Sequence, residues 1–217
     1  MCIRDRLYDE PKYISKNTLW GYNYFFVRDE FNDAKVNRFK KHVDSILLTF
    51  GGTDQHNLTS EVYQAIKDFC GMRDIKINIV VGAGYKYFHQ LQNEVKNESH
   101  VKLTKATGVM SKIMEQSQVA ITSNGRTIYE LAHMNIPAIV ISQHEREDTH
   151  NFSCQSNGFV SVGVYKENHT IDEVKKYLER ILDDEVYRKK LFESTKKFRF
   201  TNNKYKVIKK LLELLPA

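Results

Sequence analysis

Apolar positions in this chain fall into two patterns: short continuous runs and longer stretches with helical spacing. Continuous apolar runs are typical of strands that are covered on both faces of a sheet. The runs that predict strands are Ile46–Phe50, Ile75–Val81, Val101–Leu103, Gln118–Thr122, Ala138–Ser142 and Phe159–Val164.

Amphipathic stretches separate and follow these runs. In the first of them, apolar residues recur at Leu58, Val62, Ala65, Ile66 and Phe69, one face of a helix. The helices predicted in this way are Leu58–Phe69, Phe88–Val95, Met110–Gln116, Thr127–Met134, Asp148–Ser156, Ile171–Leu182, Tyr187–Lys197 and Tyr205–Leu215. Strands that alternate with helices predict repeated βαβ units. The predicted fold class is therefore α/β, a Rossmann-like parallel sheet flanked by helices.

The first part of the chain lacks this regularity. Tyr22–Val27 is a short strand-like run, and Arg28–Lys41 is polar with few positions for a core. We therefore expect residues 1–44 to be a linker or the remnant of another domain, and residues 45–217 to form the Rossmann-like domain.

Three polar loops directly follow predicted strands. They are Gly51-Gly52-Thr53-Asp54, Gly82-Ala83-Gly84 and Ser123-Asn124-Gly125-Arg126. In a parallel sheet, loops after strands share one rim, and ligands bind there where the strand order reverses. A tight turn or helix cap also explains each loop taken alone. Their shared rim is what favours a ligand site.

The stretch Ser123–Glu130 carries the strongest chemical signal. It joins a strand to a helix start, where free N–H groups and the helix dipole favour a phosphate. Glu130 lies about one turn into that helix, and a carboxylate accepts hydrogen bonds from a ribose diol. Arg126 suits a diphosphate, although a surface role is the alternative. These residue types indicate a nucleotide ligand.

A second polar loop, His144–Asn151, follows the strand that ends at Ser142. Its place on the rim favours contact with the sugar of a nucleotide sugar, and a solvated helix start is the alternative. His144 and His150 lack a third ligand in the sequence, so no metal site is predicted.

Composition narrows the function classes. The net charge is +6, but the lysines occur as pairs on helical faces, and no nucleic-acid motif accompanies them. We therefore expect no nucleic-acid partner.

No apolar run is long enough for a membrane span, and peripheral membrane association stays open. Cys2, Cys70 and Cys154 have no paired spacing, so reduced thiols and a cytoplasmic location are expected.

Together these segments resemble a known family. Ile46–Thr59 resembles the opening of the C-terminal domain in UDP-sugar hydrolases of the pseudaminic acid pathway and in SpsG-like spore-coat polysaccharide proteins. Val119–Asn151 is similar to the donor-binding core of that group and of the peptidoglycan N-acetylglucosaminyltransferase, a member of glycosyltransferase family 28. These proteins have the GT-B architecture of two Rossmann-like domains, and the resemblance runs from Tyr22 to the C-terminus.

The resemblance implies roles for the matching positions. Gly51, Gly52 and Thr53 would lie near the diphosphate or sugar, and Glu130 would bind the ribose. The diphosphate would be held by Ser123, Asn124, Gly125, Arg126 and Thr127. Main chain at Val109 and Met110 would read the uracil edge. Asp148, Thr149 and Asn151 would approach the sugar.

Two departures from the family pattern affect these expectations. The family usually has a glycine where this chain has Arg126. The family's N-terminal domain, with its glycine-rich loop and catalytic histidine, has no match here. We therefore interpret the chain as the donor-binding C-terminal half of a GT-B protein, with catalytic residues expected in the missing half and the fragment alone inactive.

The leading function is UDP-sugar binding within a UDP-sugar hydrolase or glycosyltransferase of surface polysaccharide or nonulosonic acid synthesis, with no cofactor. The alternative is a non-catalytic UDP-sugar-binding module. A nicotinamide-dependent oxidoreductase is disfavoured, because Gly51–Asp54 lacks the glycine spacing of a dinucleotide fingerprint.

Overall fold

The computed structural model describes residues 2–4, 18–106 and 108–213. Its strands are β1 (Cys2–Arg4), β2 (Thr18–Trp20), β3 (Ser45–Thr49), β4 (Lys76–Val81), β5 (Val101–Lys105), β6 (Val119–Ser123), β7 (Ala138–Ser142) and β8 (Phe159–Val164). Its helices are α1 (Leu58–Met72), α2 (Phe88–Val95), α3 (Met110–Met114), α4 (Thr127–His133), α5 (Glu145–Asp148), α6 (Thr170–Asp183), α7 (Glu185–Thr195) and α8 (Asn203–Leu212).

Six strands form one parallel sheet in the order β5-β4-β3-β6-β7-β8. The chain first builds outward from β3 to β5 and then returns to place β6 on the other side of β3. This reversal, between β3 and β6, is the point at which parallel α/β sheets bind ligands. The predicted α/β class and the parallel sheet are confirmed, and β1 and β2 form a separate parallel pair.

The core consists of two apolar clusters, one on each face of the sheet. Along β3, Ile46 and Leu48 join the first cluster and Leu47 joins the second, as the period of two in a strand requires. Helices α1, α2 and α6 cover the first face, and α3 and α4 cover the second. All five residues of β3, of β6 and of β7 are buried, which explains their continuous apolar runs.

The structure corrects two local predictions. Asp148–Ser156 is not one helix, because α5 ends at Asp148 and His150 turns into the core. The helix begins earlier because His144 caps it, its Nδ1 accepting from the N–H of Glu147. Tyr22–Val27 is not a strand: a 3₁₀ helix covers Tyr22–Tyr24. The predicted end of the last helix, residues 214–215, lies outside the described residues.

The segment before the sheet packs onto the domain. Phe25, Val27 and Phe31 are buried in the same apolar cluster as α4. Asn203 at the start of α8 donates through Nδ2 to the carbonyl oxygen of Phe25, at 2.7 Å. Residues 25–31 therefore belong to the wall of the domain next to α4.

Candidate functional site

The loop after β6 enters α4 through Asn124, Gly125 and Arg126. The N–H of Asn124 donates to the carbonyl oxygen of Ile141. Within the described part of the chain, the N–H groups of Gly125 and Thr127 have no hydrogen-bond partner. These two donors are available to an anion at the start of α4.

The loop after β3 lies directly beside this one, because β3 and β6 are neighbours and pair in parallel. A Cβ added at Gly51 or at Gly125 would lie 3.9 or 4.0 Å from Ser123 Oγ, so the two loops meet at that hydroxyl. Gly51 has φ +80°, a left-handed conformation that favours glycine. The structure thus brings Gly51 to the opening between these two loops, which we call the mouth, together with Ser123 and Gly125. Gly52 and the exposed Thr53 follow Gly51 on the same loop.

Asp54 does not face this mouth. Its two carboxylate oxygens accept from the N–H groups of Leu58 and Thr59 at 2.9 and 2.8 Å, and the residue is 2% exposed. Asp54 therefore caps α1, the alternative explanation that the sequence left open.

The loop after β4 supports the loop after β3 by close packing. A Cβ on Gly82 would lie 2.4 Å from both Cα and the carbonyl oxygen of Gly52. Such a contact is with main chain, so the Gly52 loop itself would have to move. Gly82 is a turn residue whose missing side chain sets the position of Gly51–Gly52.

We expect Gly82→Ala to destabilise the fold by about 2 kcal/mol, because it overpacks a main-chain contact. The same change should shift the amide resonances of Gly51 and Gly52. Chemical denaturation and amide spectra measure both effects. Gly108→Ala is the matched control, since no atom lies within 4 Å of its added Cβ. Equal stability of the two variants would contradict this packing role.

Glu130 lies on the first turn of α4 and forms an ion pair with the N-terminal segment. Arg28 Nε donates to Glu130 Oε1 at 3.1 Å, and the Glu130 side chain is only 13% exposed. Burial raises the pKa of Glu130, while the charges of Arg28 and Arg126 oppose that rise and the charge of Glu30 adds to it. The carboxylate is thus a mostly buried acceptor beside the Gly125–Thr127 donors.

The same segment reaches the start of α3. Glu30 Oε2 accepts from the N–H of Ser111 at 3.0 Å, and Arg28 Nη1 lies 2.8 Å from Glu30 Oε1 as an ion pair. Val109, at the start of α3, is 54% exposed, whereas Met110 is buried. Arg28 and Glu30 therefore connect the residues expected to read a base with the carboxylate expected to bind a ribose.

A buried polar network joins the loop after β6 to the loop after β7. Asn124 Nδ2 donates to the carbonyl oxygens of Glu147 and His150, at 2.8 and 3.3 Å. Asn124 Oδ1 can then only accept, so His150 carries its proton on Nδ1, 3.0 Å away. His150 Nε2 in turn accepts from the hydroxyl of Tyr129 at 3.1 Å. The Asn124 side chain is thus directed into this network and away from the mouth.

The residues expected to approach the sugar lie on the loop that this network holds. Asp148, Thr149 and Asn151 are exposed. Asp148 Oδ1 accepts from Ser142 Oγ at 3.0 Å, and Thr149 Oγ1 donates to the carbonyl oxygen of Arg146. The side chain of Asn151, in contrast, forms no hydrogen bond with any residue in the ranges 18–106 and 108–213.

Arg126 lies on the exposed side of the mouth. Its guanidinium carbon is 5.2 Å from the centre of the Phe25 ring, a cation–π distance. Phe25 stacks on Tyr129 at 4.4 Å, so the N-terminal segment supports both Arg126 and the network beneath it.

Sequence reasoning missed Arg28, Glu30 and Tyr129. Arg28 and Glu30 lie in the stretch that the sequence predicts to be a polar connection, although the buried residues Phe25, Val27 and Phe31 flank them. These apolar residues within the polar stretch were the signal in the sequence that the segment packs onto the domain. Within the described ranges, no group of three His, Cys, Asp or Glu side chains is arranged to hold a metal ion, and no helix is long and apolar enough to cross a membrane.

The sheet order and the position of the mouth define the class of protein: a Rossmann-like domain corresponding to the C-terminal half of the GT-B fold. The chain belongs to the glycosyltransferase family 28 C-terminal domain family, whose sequence model matches residues 46–211. The family resemblance expected from the sequence is confirmed.

Relatives and solved structures agree with this assignment. The chain is 26% identical over 148 residues to the spore coat polysaccharide biosynthesis protein SpsG of Bacillus subtilis, covering 67% of this chain and 42% of SpsG. It is 35% identical over 135 residues to the uncharacterized protein MJ1062 of Methanocaldococcus jannaschii, covering 58% of this chain and 27% of that protein. The chain thus spans less than half the length of either relative.

Solved structures share the fold at low identity. MurG of Acinetobacter baumannii superposes with a TM-score of 0.61 at 14% identity, over 86% of this chain and 52% of MurG. MnaA of S. aureus, solved with UDP, superposes with a TM-score of 0.58 at 16% identity, over 86% of this chain and 48% of MnaA.

Proposed function

We propose that this chain binds the UDP part of a UDP-sugar in the mouth between the loops after β3 and β6. The observation that carries the proposal is the placement of Glu130, a mostly buried carboxylate one turn beyond the Gly125 and Thr127 donors, at the strand-order reversal. Phosphate donors beside a ribose acceptor are the two requirements of a nucleoside diphosphate.

In this proposal, the main chain of Ser123–Thr127 and the side chain of Arg126 hold the diphosphate. Gly51 and Gly52 allow close approach, with Thr53 beside them. Asn124 contributes by fixing the loop. Main chain at Val109 and Met110 reads the uracil, and Asp148, Thr149 and Asn151 approach the sugar.

The reaction is a further step of the proposal. We assign the chain to a UDP-sugar hydrolase or a glycosyltransferase of surface polysaccharide or nonulosonic acid synthesis, acting in the cytoplasm. Residues 45–217 would be the nucleotide-sugar domain, with residues 1–44 leading into it from an N-terminal half that supplies the catalytic residues. Donors at the Gly125–Thr127 helix start and Arg126 would stabilise the diphosphate leaving group.

A non-catalytic UDP-sugar-binding module is the second candidate. The observation that favours it is that the chain spans only 27% of the length of MJ1062 and 42% of the length of SpsG. Turnover measured beside binding separates the two candidates: UDP release from a UDP-sugar at a measurable rate would exclude the module.

Calorimetric titration with UDP, ADP and CMP tests the binding proposal. We expect UDP to bind most tightly, and Glu130→Gln to weaken UDP binding about 30-fold, because it removes a charged acceptor for the ribose hydroxyls. Glu145→Gln, an exposed carboxylate at the start of α5, is the control that should leave affinity unchanged. No UDP binding by the folded chain, or no effect at Glu130, would refute the proposal.

A further inference from the structure

The segment Arg28–Glu30 contacts two parts of the proposed nucleotide site at once. Arg28 bonds Glu130 on α4, and Glu30 accepts from the Ser111 N–H at the start of α3. The ion pair between Arg28 and Glu30 joins the two contacts. A segment that only led into the domain would not need to present charged groups to both helices.

The contact between Arg28 and Glu130 uses only one of the two carboxylate oxygens. Arg28 takes Oε1, while Oε2 of the same carboxylate has no hydrogen-bond partner among the residues that the structure describes. A carboxylate oxygen readily accepts from a hydroxyl, so Oε2 remains available to a ribose. The Arg28 side chain is 52% exposed, so its contact with Glu130 leaves about half of that side chain in solvent.

The electrostatic surroundings of Glu130 explain why this carboxylate needs a positively charged partner. Burial raises the pKa of Glu130 and so favours its protonated form, which has lost acceptor capacity. Three charged groups face this carboxyl: Arg28 and Arg126 favour the ionised form, and Glu30 opposes it. Of these groups, Arg28 donates a direct hydrogen bond to Glu130.

We propose that Arg28 is a positioning residue for the ribose: it fixes Oε1 of Glu130 by a hydrogen bond, so that Oε2 is oriented to accept from the ribose hydroxyls. This inference rests on the proposed function and extends the site to the N-terminal segment. It also makes Arg28 a determinant of selectivity for a ribonucleotide over its 2′-deoxy counterpart.

An exposed ion pair usually contributes little, and that is the competing explanation of this contact. The burial of Glu130 distinguishes the two cases, because a charge at 13% exposure depends on its partner far more than a solvated one does. A second competitor is that Arg28 blocks the site. Blocking predicts tighter nucleotide binding once the arginine is removed, the opposite of our expectation.

The test compares UDP with 2′-deoxy-UDP in the wild-type chain, Arg28→Gln and Arg28→Lys. At pH 8 we expect Arg28→Gln to weaken UDP binding about 10-fold and 2′-deoxy-UDP binding less than 3-fold, since the deoxy ligand uses Glu130 less. Arg28→Lys keeps the charge and should recover part of the loss. Arg73→Gln removes another surface arginine, paired with Asp183, and should change neither affinity.

The pH profile separates a charge effect from a purely structural one. Ribose binding needs ionised Glu130, so affinity is present above its pKa and is lost as the pH falls. Removing Arg28 takes away a cause that lowers this pKa. In Arg28→Gln the loss of UDP affinity should therefore begin at a higher pH than in wild type. The 2′-deoxy ligand carries the same phosphates and corrects for their own titration.

Carbon-13 titration of the Glu130 carboxyl gives a readout that needs no ligand. We expect its pKa to be higher in Arg28→Gln than in wild type. An unchanged carboxyl titration, tighter UDP binding, or equal losses for both nucleotides would overturn the role of Arg28. Absence of UDP binding by wild type would instead refute the proposed function, while the carboxyl titration still tests the Arg28–Glu130 link.

Discussion

Acidification from pH 7 to pH 4 is expected to destabilise the folded chain by about 6 kcal/mol through two histidines alone. Burial lowers the pKa of His150 to about 4. Burial, together with the charge of Arg199, also lowers the pKa of His133 to about 4. His133 and His150 are 3% and 1% exposed, so protonating either of them in the native state is unfavourable.

The pH window follows from these values. In the unfolded chain both rings bind a proton near pH 6.5, whereas in the native state they do so only near pH 4. The stabilisation is therefore complete above about pH 6.5 and is lost as the pH falls towards 4, by about 3 kcal/mol per ring. Glu130 acts in the opposite sense, because its raised pKa lets the native state take up a proton first and offsets part of the loss.

Denaturant titrations at several pH values between 7 and 4 measure this loss. His150→Gln should reduce the pH slope of the unfolding free energy by about one proton, whatever its effect at pH 7. The exposed His42 is the matched control, and His42→Gln should leave the slope in place. Proton NMR titration of the rings that places both His133 and His150 near pH 6.5 would contradict the buried, neutral assignment.

Asn124→Ala is expected to cost about 3 kcal/mol of stability and to weaken UDP binding. Asn124 satisfies the carbonyl oxygens of Glu147 and His150 and the Nδ1–H of His150. Alanine leaves the buried Nδ1–H of His150 without a partner, and an unsatisfied buried group costs about 1–3 kcal/mol. It also takes one donor from each carbonyl oxygen, so that Glu147 keeps the N–H of His150 and His150 keeps the hydroxyl of Ser153. The loops after β6 and β7 then lose their main polar connection, so the Gly125 and Thr127 donors are held less firmly.

Asn151→Ala provides the comparison on the same loop. Asn151 is exposed, so its loss should change stability by less than about 0.5 kcal/mol. Under the proposed function it should weaken binding of a UDP-sugar and leave UDP itself unaffected. Chemical denaturation measures the stability of both variants, and calorimetry measures their binding of UDP and of a UDP-sugar. An Asn124→Ala chain as stable as Asn151→Ala would show that the network does not hold the loops.

The sheet was predictable from the sequence because its strands are buried on both faces. β3, β6 and β7 therefore appear as continuous apolar runs, and the predicted strand bounds agree with the observed ones within two residues. The helix prediction that failed, Asp148–Ser156, concerns a short helix. α5 has only four residues, and its position depends on the His144 cap and on burial of His150.

The rim loops were predictable as a group, but the direction of their side chains was not. Asn124 and Asp54 are both polar loop residues, and both turn out to satisfy main-chain groups in the interior. Local sequence does not distinguish such a role from ligand contact. Arg28 and Glu30 lie 102 and 81 residues from their partners in the sequence, so only tertiary packing reveals these contacts.

A crystal structure of the chain with UDP tests the central claim most directly. We predict diphosphate density against the main chain of Gly125–Thr127 and ribose hydroxyls within about 3 Å of Glu130, at the junction of the loops after β3 and β6. UDP bound elsewhere on the domain, or bound here without contact to Glu130, would contradict the proposed site.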